Sequence, residues 1–132
     1  MSRFVILEHG YPTLHWDLML EVGERLRTWR LAEPPASDFT TTAEAIADHR
    51  ASYLDFEGPV SGNRGTVRRW DAGNFHWIKD ELACVSIELK GQRLSGVLRL
   101  TAMGGQWQAS FEATVTDPPP PASVRSANSR GP

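Results

Sequence analysis

Hydrophobic and polar residues alternate along several short stretches of this chain. Residues 84–90 read CVSIELK, so that Val85, Ile87 and Leu89 occupy every second position. Successive side chains of a β-strand point to opposite faces, and this alternation therefore predicts a strand that buries one face. Comparable stretches predict further strands at residues 3–8, 15–22, 25–31, 53–57, 66–70, 74–78, 94–101 and 107–115.

Turn-forming residues separate these stretches. Gly23-Glu24 follows two alternating runs and suits a tight hairpin turn. The sequence does not decide the conformation of residues 40–49. Their Ala and Glu residues favour a helical turn, whereas the Thr run favours an extended segment. About eight or nine short strands with frequent turns are typical of an all-β barrel or sandwich. Other turns and loops are predicted at residues 10–12, 32–38, 58–59, 61–65, 71–73, 79–82, 91–92 and 103–105.

The length and composition predict one domain. The chain has 132 residues, of which 40% are hydrophobic, which is enough for a core of its own at residues 1–116. From Asp117 onward the sequence DPPPPASVRSANSRGP offers almost nothing to bury. Residues 117–132 are therefore predicted to be a disordered Pro-rich tail.

Charge and targeting signals narrow the function classes. No run of about 18 apolar residues predicts a membrane helix, and MSRFVILEHG is not a secretory signal. The single Cys84 cannot form an internal disulfide, which fits a cytoplasmic protein. The net charge of -2 is unusual for a nucleic-acid-binding protein, so contact with phosphates is expected from a local patch. The best such patch holds Arg25, Arg27 and Arg30.

Three side chains of the types that bind metals lie close together near the N-terminus. His15 and Asp17 share one face of a predicted strand, and His9 ends the strand before it. Two imidazoles and one carboxylate suit a divalent transition metal such as Mn, Zn or Fe, with positions left for water or substrate. The alternative is a hydrogen-bonded His–Asp pair with no metal, and the spacing alone leaves both interpretations open.

Five blocks of the sequence resemble, in order, the 3'-phosphoesterase domain of bacterial DNA ligase D. They are HGYPTLHWDLMLEV, LRTW, DHRASYLDFEG, GTVRRWDAGNF and ELKGQRLSGVLRL. The resemblance as a whole extends over residues 4–100. The resemblance implies a compact β-barrel of about eight strands with one short helical or irregular segment. It also implies a manganese-dependent enzyme that trims 3' ends of nucleic acid, with Zn or Co as alternative metals.

The resemblance also implies roles for individual residues. His9, His15 and Asp17 fall on the family's metal-binding residues, and His49 and Tyr53 fall on its further active-site His and Tyr. Arg27 falls on a basic residue of the family. Arg27 and Arg64, the latter in a flexible loop, are the candidates for binding substrate phosphate.

The sequence departs from the family at two arginines. One is expected two positions after the metal-binding Asp, where this chain has Met19, and the other eight positions before His49, where it has Thr41. Arginine binds phosphate oxygens through a planar fork of donors, which Met and Thr cannot replace. The loop at residues 60–65 is also shorter than is usual in the family.

Three functions therefore remain as hypotheses. The first is a metal-dependent 3'-end phosphoesterase of DNA repair, and the second is a catalytically impaired protein that binds nucleic-acid ends. The third is a metal-site protein for another small phosphorylated substrate. The expected partners are nucleic-acid 3' ends, with ligase or polymerase repair proteins acting in trans, and the protein is expected to be a monomer without membrane contact. His76 is expected to be structural and Cys84 not to be a nucleophile.

Overall fold

The structure is a computed structural model that describes residues 2–114 of the chain. Nine strands and one short 3₁₀ helix, Ala51–Leu54, make up its regular elements. Within the described residues, no helix is long and apolar enough to cross a membrane. The strands are β1 Ser2–His9, β2 His15–Val22, β3 Arg25–Leu31, β4 Thr40–Arg50, β5 Gly58–Pro59, β6 Thr66–Glu81, β7 Cys84–Gly91, β8 Ser95–Met103 and β9 Gln106–Ala113.

The strands form one antiparallel sheet that closes on itself. Its order is β1-β2-β3-β4-β9-β8-β7-β6-β5, and β1 pairs with β6 as well as with β2. Eight strands therefore form a ring, and the short β5 is added to β6 outside it. The ring is uneven, because β4 pairs with β9 only from Thr40 to Ala43. The predicted all-β fold of about eight strands is confirmed.

Alternation along the strands divides the apolar residues into two clusters. The larger cluster fills the inside of the ring and includes Ile6, Leu18 and Leu98, each fully buried. The smaller cluster lies on the outer face of β1 to β3 and includes Leu7 and Met19. Because this larger apolar cluster fills the ring, as side chains do in many eight-stranded barrels, a polar substrate site is expected outside the ring.

The outer cluster is covered by the segment that the sequence predicted to be a strand at residues 53–57. That prediction is wrong, because Ala51–Leu54 is a 3₁₀ helix. Leu54 packs into the outer cluster, with Tyr53 and Phe56 beside it. Arg3 donates a hydrogen bond of 2.7 Å to Asp55, which lowers the pKa of that carboxyl. Burial of apolar side chains, rather than strand pairing, therefore decides this segment's conformation.

The turn predicted at residues 71–73 and the loop predicted at residues 79–82 are largely absent. Both fall mainly within β6, which runs without interruption from Thr66 to Glu81. Gly73 is required there for close approach, since a Cβ at this position would collide with the main chain of Lys90. The buried Asp71 accepts hydrogen bonds from three backbone N–H groups, those of Ala72, Arg93 and Leu94. Asp71 and Gly73 therefore form no turn, and both instead allow β6 to pack closely against the neighbouring main chain.

The turn predicted at residues 58–59 is wrong, because Gly58–Pro59 is the short strand β5, which pairs with β6. The segment 40–49, which the sequence left open between helical and extended, belongs to β4. The faces predicted for β2 are confirmed, with Leu18 in the inner cluster and Met19 in the outer one. The predicted tail at residues 117–132 lies outside the described residues.

Candidate metal centre and substrate pocket

His9, His15 and Asp17 come together where β1 ends and β2 begins. His9 and His15 are direct partners in the antiparallel pairing of these strands, and Asp17 follows His15 on the same face. One potential ligand atom from each residue lies within 4.8 Å of the others, and the two imidazole centroids are 5.0 Å apart. The hairpin therefore assembles the trio from only nine positions of sequence.

The hydrogen bonds of His15 define which of its nitrogens is free. The Nδ1–H group donates to the main-chain oxygen of Thr13 over 2.8 Å, because a carbonyl can only accept. Nε2 is buried without a hydrogen-bond partner and lies 3.4 Å from Asp17 Oδ2. A buried carboxylate beside this nitrogen is costly unless a cation satisfies both atoms, either a proton on Nε2 or a metal ion bound between them.

His9 is oriented in a similar way by the loop before β6. Its Nε2 donates to the main-chain oxygen of Arg64 over 2.7 Å, which leaves Nδ1 with the lone pair. Metal-binding histidines commonly donate their second ring N–H to a carbonyl oxygen, as both of these rings do. The donor set and its hydrogen bonds therefore fit a divalent transition metal.

Arg30 is the nearest cation to this site and was missed as a site residue by the sequence analysis. It pairs directly with Asp17 in the β2–β3 register, and its Nε donates to Asp17 Oδ1 over 3.1 Å. The register itself could have revealed it, because counting back from the two-residue turn at Gly23-Glu24 places Asp17 opposite Arg30.

A cavity of about 130 Å³ adjoins the trio on the outer face of the sheet. Met19 and Val67 contribute apolar wall to it. Its polar lining consists of His9, Asp17, Arg30, His49, Tyr53 and Arg64. Most of the sequence-predicted site residues are thus collected around one small, basic pocket.

His49 and Tyr53 reach this pocket from the end of β4 and from the 3₁₀ helix. Their rings meet edge to face with centroids 5.4 Å apart. The hydroxyl of Thr28 donates to the main-chain oxygen of Leu26 over 2.9 Å and lies 3.2 Å from His49 Nδ1. Nδ1 is also 3.2 Å from the oxygen of Ala47, so it is the protonated nitrogen and Nε2 is the free one.

Arg64 lines the pocket, while Arg27 does not. The side chain of Arg64 donates to Ser61, and its main-chain oxygen accepts from His9. Arg27 pairs with Leu20 on the inner face of the sheet, stacks over Trp29 and forms an ion pair of 3.0 Å with Asp80. Arg27 therefore supports the inner face of the barrel and is replaced at the pocket by Arg30.

The two positions that depart from the family pattern differ in their surroundings. Met19 is buried and lines the pocket beside Asp17. Thr41 is also buried, but it lies on β4 opposite Ala109 and is not among the pocket residues. Only Met19 thus changes the chemistry of the pocket wall directly.

The remaining residues singled out in the sequence lie away from the pocket. His76 Nε2 lies 3.1 Å from Glu88 Oε1 on β7. Cys84 begins β7 as a half-buried free thiol. Neither contributes to the pocket lining.

The fold and the site together define a class: an antiparallel barrel with a His-His-Asp site on its outer face beside a small basic pocket. The family described as the DNA ligase D 3'-phosphoesterase domain matches residues 7–102 of the chain. The chain therefore belongs to this family.

Relatives of known description support the assignment. The multifunctional non-homologous end joining protein LigD of Pseudomonas aeruginosa is 30% identical over 121 residues, which cover 82% of this chain and 14% of that protein. The multifunctional non-homologous end joining DNA repair protein LigD of Mycobacterium tuberculosis is 30% identical over 118 residues, which cover 82% of this chain and 16% of that protein. The chain thus spans only a small part of the length of these relatives.

Proposed function

We propose that this protein is a metal-dependent phosphoesterase that processes 3' ends of nucleic acid in DNA repair. The observation that carries the proposal is the buried Nε2 of His15, which faces the Asp17 carboxylate without a hydrogen bond at the edge of a basic pocket. Membership of the 3'-phosphoesterase domain family and the end-joining relatives support the substrate class.

His9, His15 and Asp17 are the residues that would hold the metal, with Mn as the first choice and Zn or Co as alternatives. A divalent ion there would polarise a phosphoryl oxygen and lower the pKa of a bound water. The hydrogen bonds from His15 to Thr13 and from His9 to Arg64 hold the two rings in position before metal arrives. This preorganisation favours a defined coordination geometry.

His49, Tyr53 and Arg64 are the residues that would act on substrate. His49 has its Nε2 free and serves as a general acid or base, or as a donor to phosphate when protonated. The Tyr53 hydroxyl can donate to a phosphate oxygen, and Arg64 brings a positive charge to the same pocket. A 3' end would enter the pocket from the outer face of the sheet, with repair proteins such as a ligase or polymerase as partners.

The test is turnover of a DNA primer that carries a 3'-phosphate or a 3'-terminal ribonucleotide, with and without Mn. We expect product with the wild type and Mn, and at least about a hundredfold loss in His9→Ala. His76→Ala is the matched control, because His76 pairs with Glu88 away from the pocket and should leave activity unchanged. Absence of product at every metal tested, or equal product from His9→Ala, would refute the proposal.

A second candidate is a protein that binds nucleic-acid ends without turnover. The observation that favours it is Met19, an apolar residue in the pocket wall where the family resemblance leads one to expect an arginine. It predicts salt-sensitive binding to primer ends and no product with any metal. The same turnover experiment, with binding measured in parallel at low and high salt, separates the two functions.

A further inference from the structure

We propose that Arg30 is the phosphate-binding residue of this pocket and supplies from β3 the guanidinium that β2 lacks at Met19. The inference deepens the proposed function and rests on it for the identity of the substrate. It concerns a residue that the sequence places in a basic patch without a role of its own, and to which the family motifs assign none.

The contacts of Arg30 leave part of its guanidinium available. Only Nε is engaged, by Asp17 Oδ1 at 3.1 Å. Within residues 2–114, the two terminal nitrogens of Arg30 have no hydrogen-bond or ion-pair partner. Glu44, which lies opposite Arg30 on the neighbouring strand β4, forms no ion pair with it. The side chain is 36% exposed, so these nitrogens are reachable from outside.

Arg30 lies between a small cavity and a larger groove on the surface of the molecule. It lines the 130 Å³ cavity next to Asp17, and it also lines a groove of about 610 Å³ that runs from His15 past β4 to β9. The small cavity is suited to a phosphoryl group, and the groove has room for the nucleoside attached to it. A residue at this junction can bind the phosphate while the nucleoside extends outward.

The chemistry of the pair with Asp17 supports this role. Arginine presents donors in a planar fork that matches phosphate oxygens. The hydrogen bond from Arg30 Nε to Asp17 Oδ1 fixes the plane of the guanidinium. Asp17 Oδ2 faces His15 and remains available to a metal. One carboxylate therefore sets the distance between the candidate metal and the phosphate donors.

A simpler role for Arg30 would be to hold Asp17 in place. The two roles differ in what they predict for the metal. If Arg30 only positions Asp17, its removal weakens binding of both Mn and phosphate. If Arg30 binds phosphate, its removal weakens phosphate binding, and Mn affinity is retained or increases because a positive charge near the metal has been lost.

The experiment measures binding of Mn, and of inorganic phosphate to the Mn-loaded protein, by titration calorimetry. For Arg30→Ala we expect phosphate affinity to fall about tenfold to a hundredfold, Mn affinity to change less than about threefold, and kcat/KM to fall about a hundredfold. Arg30→Lys should be intermediate, and added guanidinium should partly restore turnover in Arg30→Ala. Arg25→Ala is the matched control on the same strand, since Arg25 is exposed and donates to the main chain of Asp48.

Arg30→Gln is a second variant in case Arg30→Ala misfolds. The glutamine amide can still donate a hydrogen bond to Asp17, but it lacks the positive charge and the planar fork of donors. Unchanged phosphate affinity in both variants, or parallel loss of Mn and phosphate, would overturn the proposal. Calorimetry needs no turnover, so failure of the enzymatic function and failure of the Arg30 assignment are distinguishable. If the wild type gives no product but its phosphate binding depends on Arg30, only the enzymatic function is rejected.

Discussion

At the scale of single residues, main-chain carbonyls decide which nitrogen of each histidine is available. Thr13 and Arg64 accept from His15 and His9, and Ala47 accepts from His49. A carbonyl can only accept, so each contact places a proton on the nitrogen that faces it and, in a neutral ring, leaves the other nitrogen as the acceptor. The chemistry of the pocket is thus set partly by backbone that carries no sequence signal of its own.

Thr28 also contributes to the position of the His49 ring. Its hydroxyl donates to Leu26 and therefore accepts from His49 Nδ1. Thr28→Val keeps the side-chain shape and removes this acceptor, so we expect kcat to fall about tenfold, the equivalent of one hydrogen bond, with little change in KM. Steady-state kinetics on the 3'-phosphate primer measure both constants. Thr101→Val, an exposed position on β8, is the control, and an unchanged kcat in Thr28→Val would show that Thr28 does not help to position His49.

At the scale of elements, the site depends on one hairpin and on the connection between β4 and β6. The β1–β2 hairpin supplies the candidate metal ligands, and β3 adds Arg30 through its register. The connection at residues 51–65 crosses the outer face, brings Tyr53 to the pocket and carries the carbonyl that orients His9. Its anchors are buried apolar side chains and the Arg3–Asp55 pair.

The end of this connection depends on Gly65, which has a φ of +76°. A Cβ there would lie 3.0 Å from Tyr11 Cβ and 3.7 Å from His9 Nε2. We expect Gly65→Ala to lower the free energy of unfolding by about 1–2 kcal/mol and to weaken Mn binding about tenfold or more, because the Arg64 carbonyl moves away from His9. Calorimetric titration and denaturant unfolding measure the two effects.

Gly23→Ala is the matched control for this prediction. Gly23 has a φ of +61°, and a Cβ there would meet nothing within 4 Å. It should show a similar loss of stability with Mn affinity unchanged. Equal loss of Mn affinity in both variants would mean that global destabilisation, and not the orientation of His9, is responsible.

At the scale of the whole molecule, closure of the ring determines where chemistry can occur. The interior is filled by the larger apolar cluster, and the outer face of β1 to β3 is the surface against which a polar pocket can be built. β1 closes the ring, because it pairs with β6 as well as with β2. Its last residue, His9, thus lies between the hairpin and the strand that closes the barrel.

Metal binding should therefore stabilise the whole barrel and not only the pocket. A ligand at a hundred times its dissociation constant adds about 2.7 kcal/mol to the free energy of unfolding. For a domain of this size we expect Mn to raise the Tm by roughly 10 °C. Thermal unfolding with and without Mn measures the shift.

His15→Ala should show no Mn-dependent shift from its own metal-free Tm, because it removes a ligand at the junction of β1 and β2. His76→Ala should shift as the wild type does. A full shift in His15→Ala would place the metal elsewhere in the protein.

The sequence by itself determined most of the strands and their faces. Alternation places His15, Asp17 and Met19 on one face of β2 and Leu18 on the other, as the structure has them. The two-residue turn at Gly23-Glu24 sets the register that pairs Asp17 with Arg30. The residue pattern and the family motif nevertheless favour Arg27 as the phosphate-binding candidate. These features depend on residues close in the chain, where period and turn length suffice.

Only the tertiary structure decided which distant residues share the pocket. His49, Tyr53 and Arg64 lie more than thirty positions after Asp17 and reach it because the ring closes and residues 51–65 cross its outer face. The same long-range contacts turned a predicted strand into the 3₁₀ helix Ala51–Leu54 and a predicted turn into part of β6. Burial against distant strands outweighs local preference in these segments, and the local sequence does not contain those partners.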